Sequence, residues 1–578
     1  MKVAASSPAV SEARPVSGSQ VRWPSLSVVL LFVVTALIIG PLAVLLRTSL
    51  APAGTLPFDT WQVTTQNLVE VLSSPDTLRV VINTVLYAIG SVALGVLIAT
   101  FVAWLTERTD MPGQTAIRVF LFAWMTVPPL AVGYGWILLI NPGNGALNVY
   151  ARAIFDTSQP LFTIYSFSSL ILISALSIVP TAFVMIGGMF RNMDPNLEAS
   201  ARIGGASAWS VARYITLPLM LPSILSVAIF MIMLVVQAFD IPFIIGVTAR
   251  IPVLSTRIYL LSSPDTGTPN YGLSASFGML LLVVALLMIW GYFRAVGSGE
   301  RYRVVTGKAF RRKRVELGLL RWPMLACVMV IIGIMLLPLL ILLWASFFPF
   351  YRVPDLNSFG AATLDIYRKV LSLGVVRAAI LNTLVVLFVS STIVTFLATL
   401  VAWLSTSTDQ RVARWTDVMS FTTTAVPPVV MAVAILLLYI RTPLYGTIGI
   451  LILGYVTIYL AFSVRTMSGA LMQLHKELQD AAWVSGASRW VVARRVVFPL
   501  VWPHFLNAWL WVAAHCARDL TLPLFLVTTG NVMFVTGIWE LWGIPDLPGA
   551  AALSVLLVVS LLVIVVPIQM FISKRGDH

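Results

Sequence analysis

Ionisable side chains set inside long apolar runs are the first candidates for function, because such a charge is costly unless it has a task or a partner. Three stand out: Asp240, Arg518 and Asp519. Each lies about 20 residues beyond a proline, Pro218 or Pro499, that opens its apolar run. At about 1.5 Å per helical residue that places them near the far end of a membrane span. There they would line the mouth of a pathway; the plainer reading is an Arg–Asp pair joining helices. Metal and nucleotide chemistry find no support. Cys327 and Cys516 stand alone in apolar stretches, and His504 and His515 are three helical turns apart, about 16 Å, too far to share one metal. No G-x-x-x-x-G-K-[ST] phosphate loop occurs; Gly307-Lys308-Ala309 lacks both the upstream glycine and the hydroxyl residue. The expectation is a chain with no catalytic residue, metal site or bound cofactor.

The strongest pattern is a polar loop present twice. NLEASARIGGASAWSVARYITLPLMLP and ELQDAAWVSGASRWVVARRVVFPLVWP align Gly205 with Gly486, Ala206-Ser207 with Ala487-Ser488, Trp209 with Trp490 and Pro218 with Pro499. This spacing predicts helix, turn, helix. Glycine supplies the turn conformation that other residues resist. Ser207 and Ser488 suit the N-cap of the following helix. Small residues at Ala199, Ser200, Ala201, Ala481 and Ala482 allow another surface to approach. Glu198 and Asp480 are the acidic positions. A short amphipathic element of this kind can dock in a partner's groove; the plainer reading is a helix resting on the bilayer surface.

The elements around these loops are set by composition. Of 578 residues, 59% are hydrophobic and 10% charged, whereas soluble chains carry about 25% charged residues. The apolar runs are long enough to cross a bilayer, which takes about 20 residues. Twelve spans are expected, several interrupted by proline, as at Pro128-Pro129 and Pro427-Pro428. The two halves repeat: Asn83-Thr84 aligns with Asn382-Thr383, Ala103-Trp104-Leu105 with Ala402-Trp403-Leu404, and TVPP at 126–129 with AVPP at 425–428. Six spans per half is an even number, so both halves insert in the same sense, related by a pseudo-two-fold axis along the membrane normal. The divisions are a disordered cytoplasmic 1–21, a first half 22–294, a basic linker 295–321, a second half 322–573 and a tail 574–578. The net charge of +14 comes from Lys and Arg clustered between alternate spans, densest in FRRKRVE. This is the pattern of a positive inner face, with both termini cytoplasmic, and not of nucleic-acid binding. Contact with anionic lipid heads follows for the linker.

With the repeated loop in view, the chain resembles the ABC-transporter permeases that work with extracytoplasmic binding proteins. The loop is similar to their EAA motif, although the acidic residue is displaced: six places before Gly205 stands Ala199, after Glu198, and six before Gly486 stands Asp480, followed by Ala481. The resemblance implies an all-α membrane protein of about 12 spans in two parallel six-helix repeats, of the type I importer kind, in a bacterial inner membrane. It implies that Glu198, Ala199, Gly205, Ala206, Ser207, Asp480, Ala481, Gly486, Ala487 and Ser488 couple to separate ABC ATPase subunits, a homodimer, which use the ATP. An extracytoplasmic binding protein would deliver the cargo. The fused form most resembles ferric-iron uptake permeases, with thiamine, aminophosphonate and polyamine permeases as relatives. An ion-coupled secondary transporter would require carboxylates near the membrane midplane, which the spans largely lack.

Overall fold

A computed structural model describes residues 24–194, 196–263, 268–296, 315–407, 415, 425–474, 481–482, 484–544 and 546–576. Among the described residues the regular structure is helical, apart from one bridge between Thr109 and Val315. The expected disordered segment 1–21, most of the basic linker and Asp480 fall outside them.

The first half supplies α1 (Pro24–Ser49), α2 (Pro75–Arg108), α3 (Gln114–Trp124), α4 (Pro129–Ile140), α5 (Phe167–Asn192), α6 (Asn196–Ile203), α7 (Ala208–Val211), α8 (Leu217–Val236), α9 (Leu254–Ser262) and α10 (Tyr271–Val296). The second supplies α11 (Arg321–Ala345), α12 (Gly374–Ser407), α13 (Pro428–Tyr439), α14 (Ile448–Met472), α15 (Arg489–Val492), α16 (Phe498–Arg518), α17 (Thr521–Leu526), α18 (Phe534–Gly543) and α19 (Leu547–Gly576). In hydrocarbon every backbone polar group must be satisfied within the protein, which is why these apolar runs are helical. Leu78, Ile82, Val85, Leu86 and Ile89 make an exposed apolar stripe on α2, the surface that lipid covers in a spanning protein.

Among the described residues ten helices are long and apolar enough to span a membrane. The expected third span of each half is not a straight helix. In the first half it breaks into α3 and α4, which meet at 101°. Pro128 is extended (φ −63°, ψ 130°), and Pro427 has nearly the same conformation before α13. A residue that precedes proline is driven out of the helical region, so each Pro-Pro pair forces the chain to turn. α13 holds only 12 residues.

The halves share one packing plan. In each, the second span packs along the fourth and fifth: α2 on α5 and α8, α12 on α14 and α16. The leading helix then crosses over: α11 packs on α4 of the first half, and α1 on α13 of the second. The aligned Asn-Thr pairs gain a physical role here. Asn83 donates to Pro252 O (3.1 Å) and Asn382 to Val532 O (3.0 Å), while Thr84 and Thr383 hydroxyls accept from Leu254 N (2.9 Å) and Phe534 N (2.8 Å). Both pairs tie the second span to the start of a short helix that follows the fifth, α9 or α18.

Candidate functional site

The repeated loops take the predicted shape. After α6, Gly205 (φ +84°) turns the chain, and Ala206 N donates to Ala201 O at 3.1 Å. This six-to-one bond is a Schellman C-cap, which favours glycine in the left-handed region. Gly486 (φ +81°) does the same, with Ala487 N donating to Ala482 O at 3.0 Å. Ser207 then caps α7 through Ser210 N (3.1 Å), and Ser488 caps α15 through Val491 N (3.4 Å). Each of these short helices passes through a five-residue π turn, Ala212–Thr216 or Ala493–Val497, into the fifth span. Trp209 and Ile203 in the first loop and Val484 in the second are exposed, at 66%, 86% and 91%. Bare apolar tips on a polar loop form a surface that a partner or the bilayer would cover.

Glu198 packs into its own half of the chain. It is 3% exposed and forms an ion pair with Arg108. Thr216 Oγ1 also donates to Glu198 Oε1 at 2.6 Å. Arg108, at the end of α2, donates further to Met193 O at 3.3 Å. Beside it Glu107 accepts from Arg118 (2.7 Å) and Arg191 (3.0 Å). The linker joins the same knot: Val315 N donates to Arg108 O (2.8 Å) and Leu317 N to Asp110 Oδ1 (2.8 Å). The first loop is therefore rooted in the ends of α2 and α5. At aligned positions the second half carries Thr406 and Ser407 for Glu107 and Arg108, Gln479 for Glu198, and Val497 for Thr216. Those aligned residues cannot repeat the Arg108–Glu198 pair. A charge-by-charge comparison of the two halves was the sequence signal for this difference.

Asp240, Arg518 and Asp519 come together between the halves. Arg518 donates to Met125 O, a carbonyl released where α3 breaks, and hydrogen-bonds His515 Nε2 at 3.0 Å. Thr521 Oγ1 donates to Asp240 Oδ1 at 3.3 Å, and Asp519 accepts from Thr521 N and Leu522 N at 3.3 and 3.2 Å. Asp240 is thus held across the interface by the other half. Asp240 follows the end of its span, four residues past Val236. The first span concerned runs Trp209–Val236, 28 residues, about 42 Å of helix, so Pro218 lies well inside the helix and does not mark its start. Among the described residues no ion pair within 4 Å joins Arg518 to either aspartate; its partners are a backbone carbonyl and a histidine. The three residues remain partly accessible within a packed interface.

The sequence profile of the binding-protein-dependent transport system inner membrane component family matches residues 95–296 and 395–576, one match in each half. The chain belongs to that family. Each match starts inside α2 or α12 and contains the coupling-type loop, so the family unit is one half and this inner membrane component carries it twice. Among curated proteins, it is 22% identical over 81% of its length to a putative ferric transport system permease protein of Haemophilus influenzae, covering 73% of that relative. It is also 22% identical over 80% of its length to a ferric transport system permease protein of Actinobacillus pleuropneumoniae, covering 66% of it. A molybdenum transport system permease protein of Haemophilus influenzae is 34% identical over 24% of this chain and 58% of its own. Among solved structures, a chain of a bacterial alginate ABC transporter in complex with a pentasaccharide-bound periplasmic protein matches 48% of this chain and 94% of its own, at 19% identity and a TM-score of 0.39. This inner membrane component is a multi-pass transport permease.

Proposed function

We propose that this chain alone forms the translocation path of an ATP-driven importer, with ferric iron as cargo. The observation that carries the reading is the doubled loop: two glycine turns, serine caps and π turns of the same geometry lead into equivalent spans. Two like loops suit two copies of one ATPase subunit, which supplies the ATP chemistry that this chain lacks; the permease itself holds no cofactor. Closure of the ATPase pair on ATP draws the loops together and rocks the halves between outward- and inward-facing states, a shift of population driven by differential contacts. An extracytoplasmic binding protein delivers the cargo, and the distribution of Lys and Arg favours both termini in the cytoplasm. Iron follows from the ferric transport relatives, whose likeness spans both halves. Molybdate is the second reading, because the 34% match is the higher identity over its shorter length.

The test is uptake of radiolabelled iron by cells carrying the permease with its ATPase and binding protein. ATP-dependent iron uptake that unlabelled molybdate leaves unchanged is expected. Uptake that persists on ion gradients after ATP depletion would overturn the ABC reading, and competition by molybdate would reassign the cargo.

A second expectation concerns the turns. At Gly205 and Gly486 a Cβ would meet nothing within 4 Å, so bulk is tolerated there but the positive φ is not. A valine costs about 1–2 kcal/mol at each left-handed position, enough to distort the turn without unfolding a bundle built elsewhere. The Gly205→Val/Gly486→Val variant should insert at normal levels and lose cargo-stimulated ATP hydrolysis. Unchanged stimulation in the reconstituted complex would remove the loops from the coupling path.

A further inference from the structure

A cavity of about 330 Å³ opens at the interface of the halves. Tyr259 of α9 and Tyr271, the first residue of α10, enter from the first half. Tyr445, Thr528, Thr536 and Glu540 enter from the second. Tyr271 opens the helix that ends beside the linker, and Tyr445 lies just before α14, so both sit at the end of the bundle opposite the coupling-type loops. Tyr271 and Tyr445 line the same cavity from opposite halves.

The lining has a definite chemical character. Its polar side chains are phenols, aliphatic hydroxyls, the Trp539 indole and one carboxylate; among the described residues no Lys, Arg, His or Cys lines it. Among the described residues the Glu540 carboxylate has no ion-pair partner. An oxyanion would meet a negative charge and no cation here. A hard cation would meet only oxygen donors, the ligand type that hard metal ions prefer over nitrogen and sulfur. Tyr259 and Phe525 line the cavity, and Phe239, next to Asp240 in the chain, packs on both (ring centroids 5.7 and 5.8 Å). An aromatic layer therefore connects the cavity with the Asp240–Arg518–Asp519 cluster.

We propose that this cavity is the outer receiving site of the path and takes a hard, multiply charged metal cation through the Tyr271 and Tyr445 phenol oxygens and the Glu540 carboxylate. The proposal rests on the importer reading and narrows its cargo to a cation. Metal coordination displaces the phenol protons to water, and no electron is transferred. The test uses the purified full chain titrated with ferric nitrilotriacetate. Phenolate bound to ferric iron absorbs visible light by charge transfer, so a saturable coloured band is expected. Tyr271→Phe/Tyr445→Phe, which removes two oxygens and little volume, should abolish the band. Glu540→Gln, at an exposed position, should weaken binding on the order of tenfold, as disturbing a metal site commonly does. Tyr150→Phe should leave the band intact. No band in the unaltered chain, or an undiminished band in the double variant, would overturn the site. Iron uptake by the whole transporter without a band sinks the site and leaves the importer reading standing; a band without iron uptake in cells does the reverse.

Discussion

Gly135→Val should abolish accumulation of folded permease in the membrane. Gly135 lies on α4 where α11 of the other half crosses, and a Cβ built there would stand 2.2 Å from Pro338 O and 2.6 Å from Pro338 C and Cα. These are backbone atoms of a helix, so no rotamer change relieves the clash. Overpacking a core by a few methylenes costs about 1–3 kcal/mol, and a clash against backbone belongs at or beyond the top of that range. Small residues where spanning helices meet allow this kind of close crossing. Gly333 on α11 and Gly291 on α10 provide the control, because a Cβ at either meets nothing within 4 Å. Gly333→Ala and Gly291→Ala should be neutral or stabilise by up to about 1 kcal/mol, the usual gain from removing a glycine inside a helix. Detergent-extracted yield and thermal unfolding of the three variants decide the matter. If Gly135→Val melts with the alanine variants, the cross-over contact is not what holds the halves together.

The second large effect is expected at Arg108 and Glu198. Removing one member of a buried ion pair leaves the other uncompensated, at a cost of about 3–5 kcal/mol. The two side chains are 5% and 4% exposed, so solvent cannot replace the lost partner. Glu198→Gln and Arg108→Met should each lower the unfolding temperature and the yield of assembled protein. The double change Arg108→Met/Glu198→Leu should recover much of that loss, because a neutral apolar pair leaves no stranded charge. The informative readout is the ratio of cargo moved to ATP hydrolysed in the double variant. A knot that transmits motion from the first loop to α2 would give a stable protein with a reduced ratio. A double variant with an unchanged ratio would confine the pair to holding the fold.

These sites also show where sequence reasoning reached and where it stopped. The glycine turns at Gly205 and Gly486, the serine caps, the proline breaks and the paired halves were legible, since each depends on residues a few places apart or on one stretch compared with its copy. Helix breakage at Pro128-Pro129 was legible as an interruption but not as a turn of 101°. Glu198 was legible as an acidic residue in a coupling-type loop, yet its partner stands 90 positions away in the chain. Several arginines at the same membrane face were equally plausible partners by charge alone. The helical run that leads to Asp240 begins at Trp209, nine residues before Pro218, because the repeated loop feeds a continuous helix through its π turn.

The sequence by itself determined the solvent, the number of halves, their parallel sense and the turns that present the loops. Those properties follow from apolar run length, lysine and arginine placement, and the backbone limits of glycine and proline, which act locally. The tertiary structure alone decided that leading helices exchange between halves, that Arg518 satisfies the carbonyl released at Met125, and that three tyrosines and a glutamate share one cavity. Such contacts arise from how close two distant backbones can approach and from which buried charge finds which partner, and no local period encodes either.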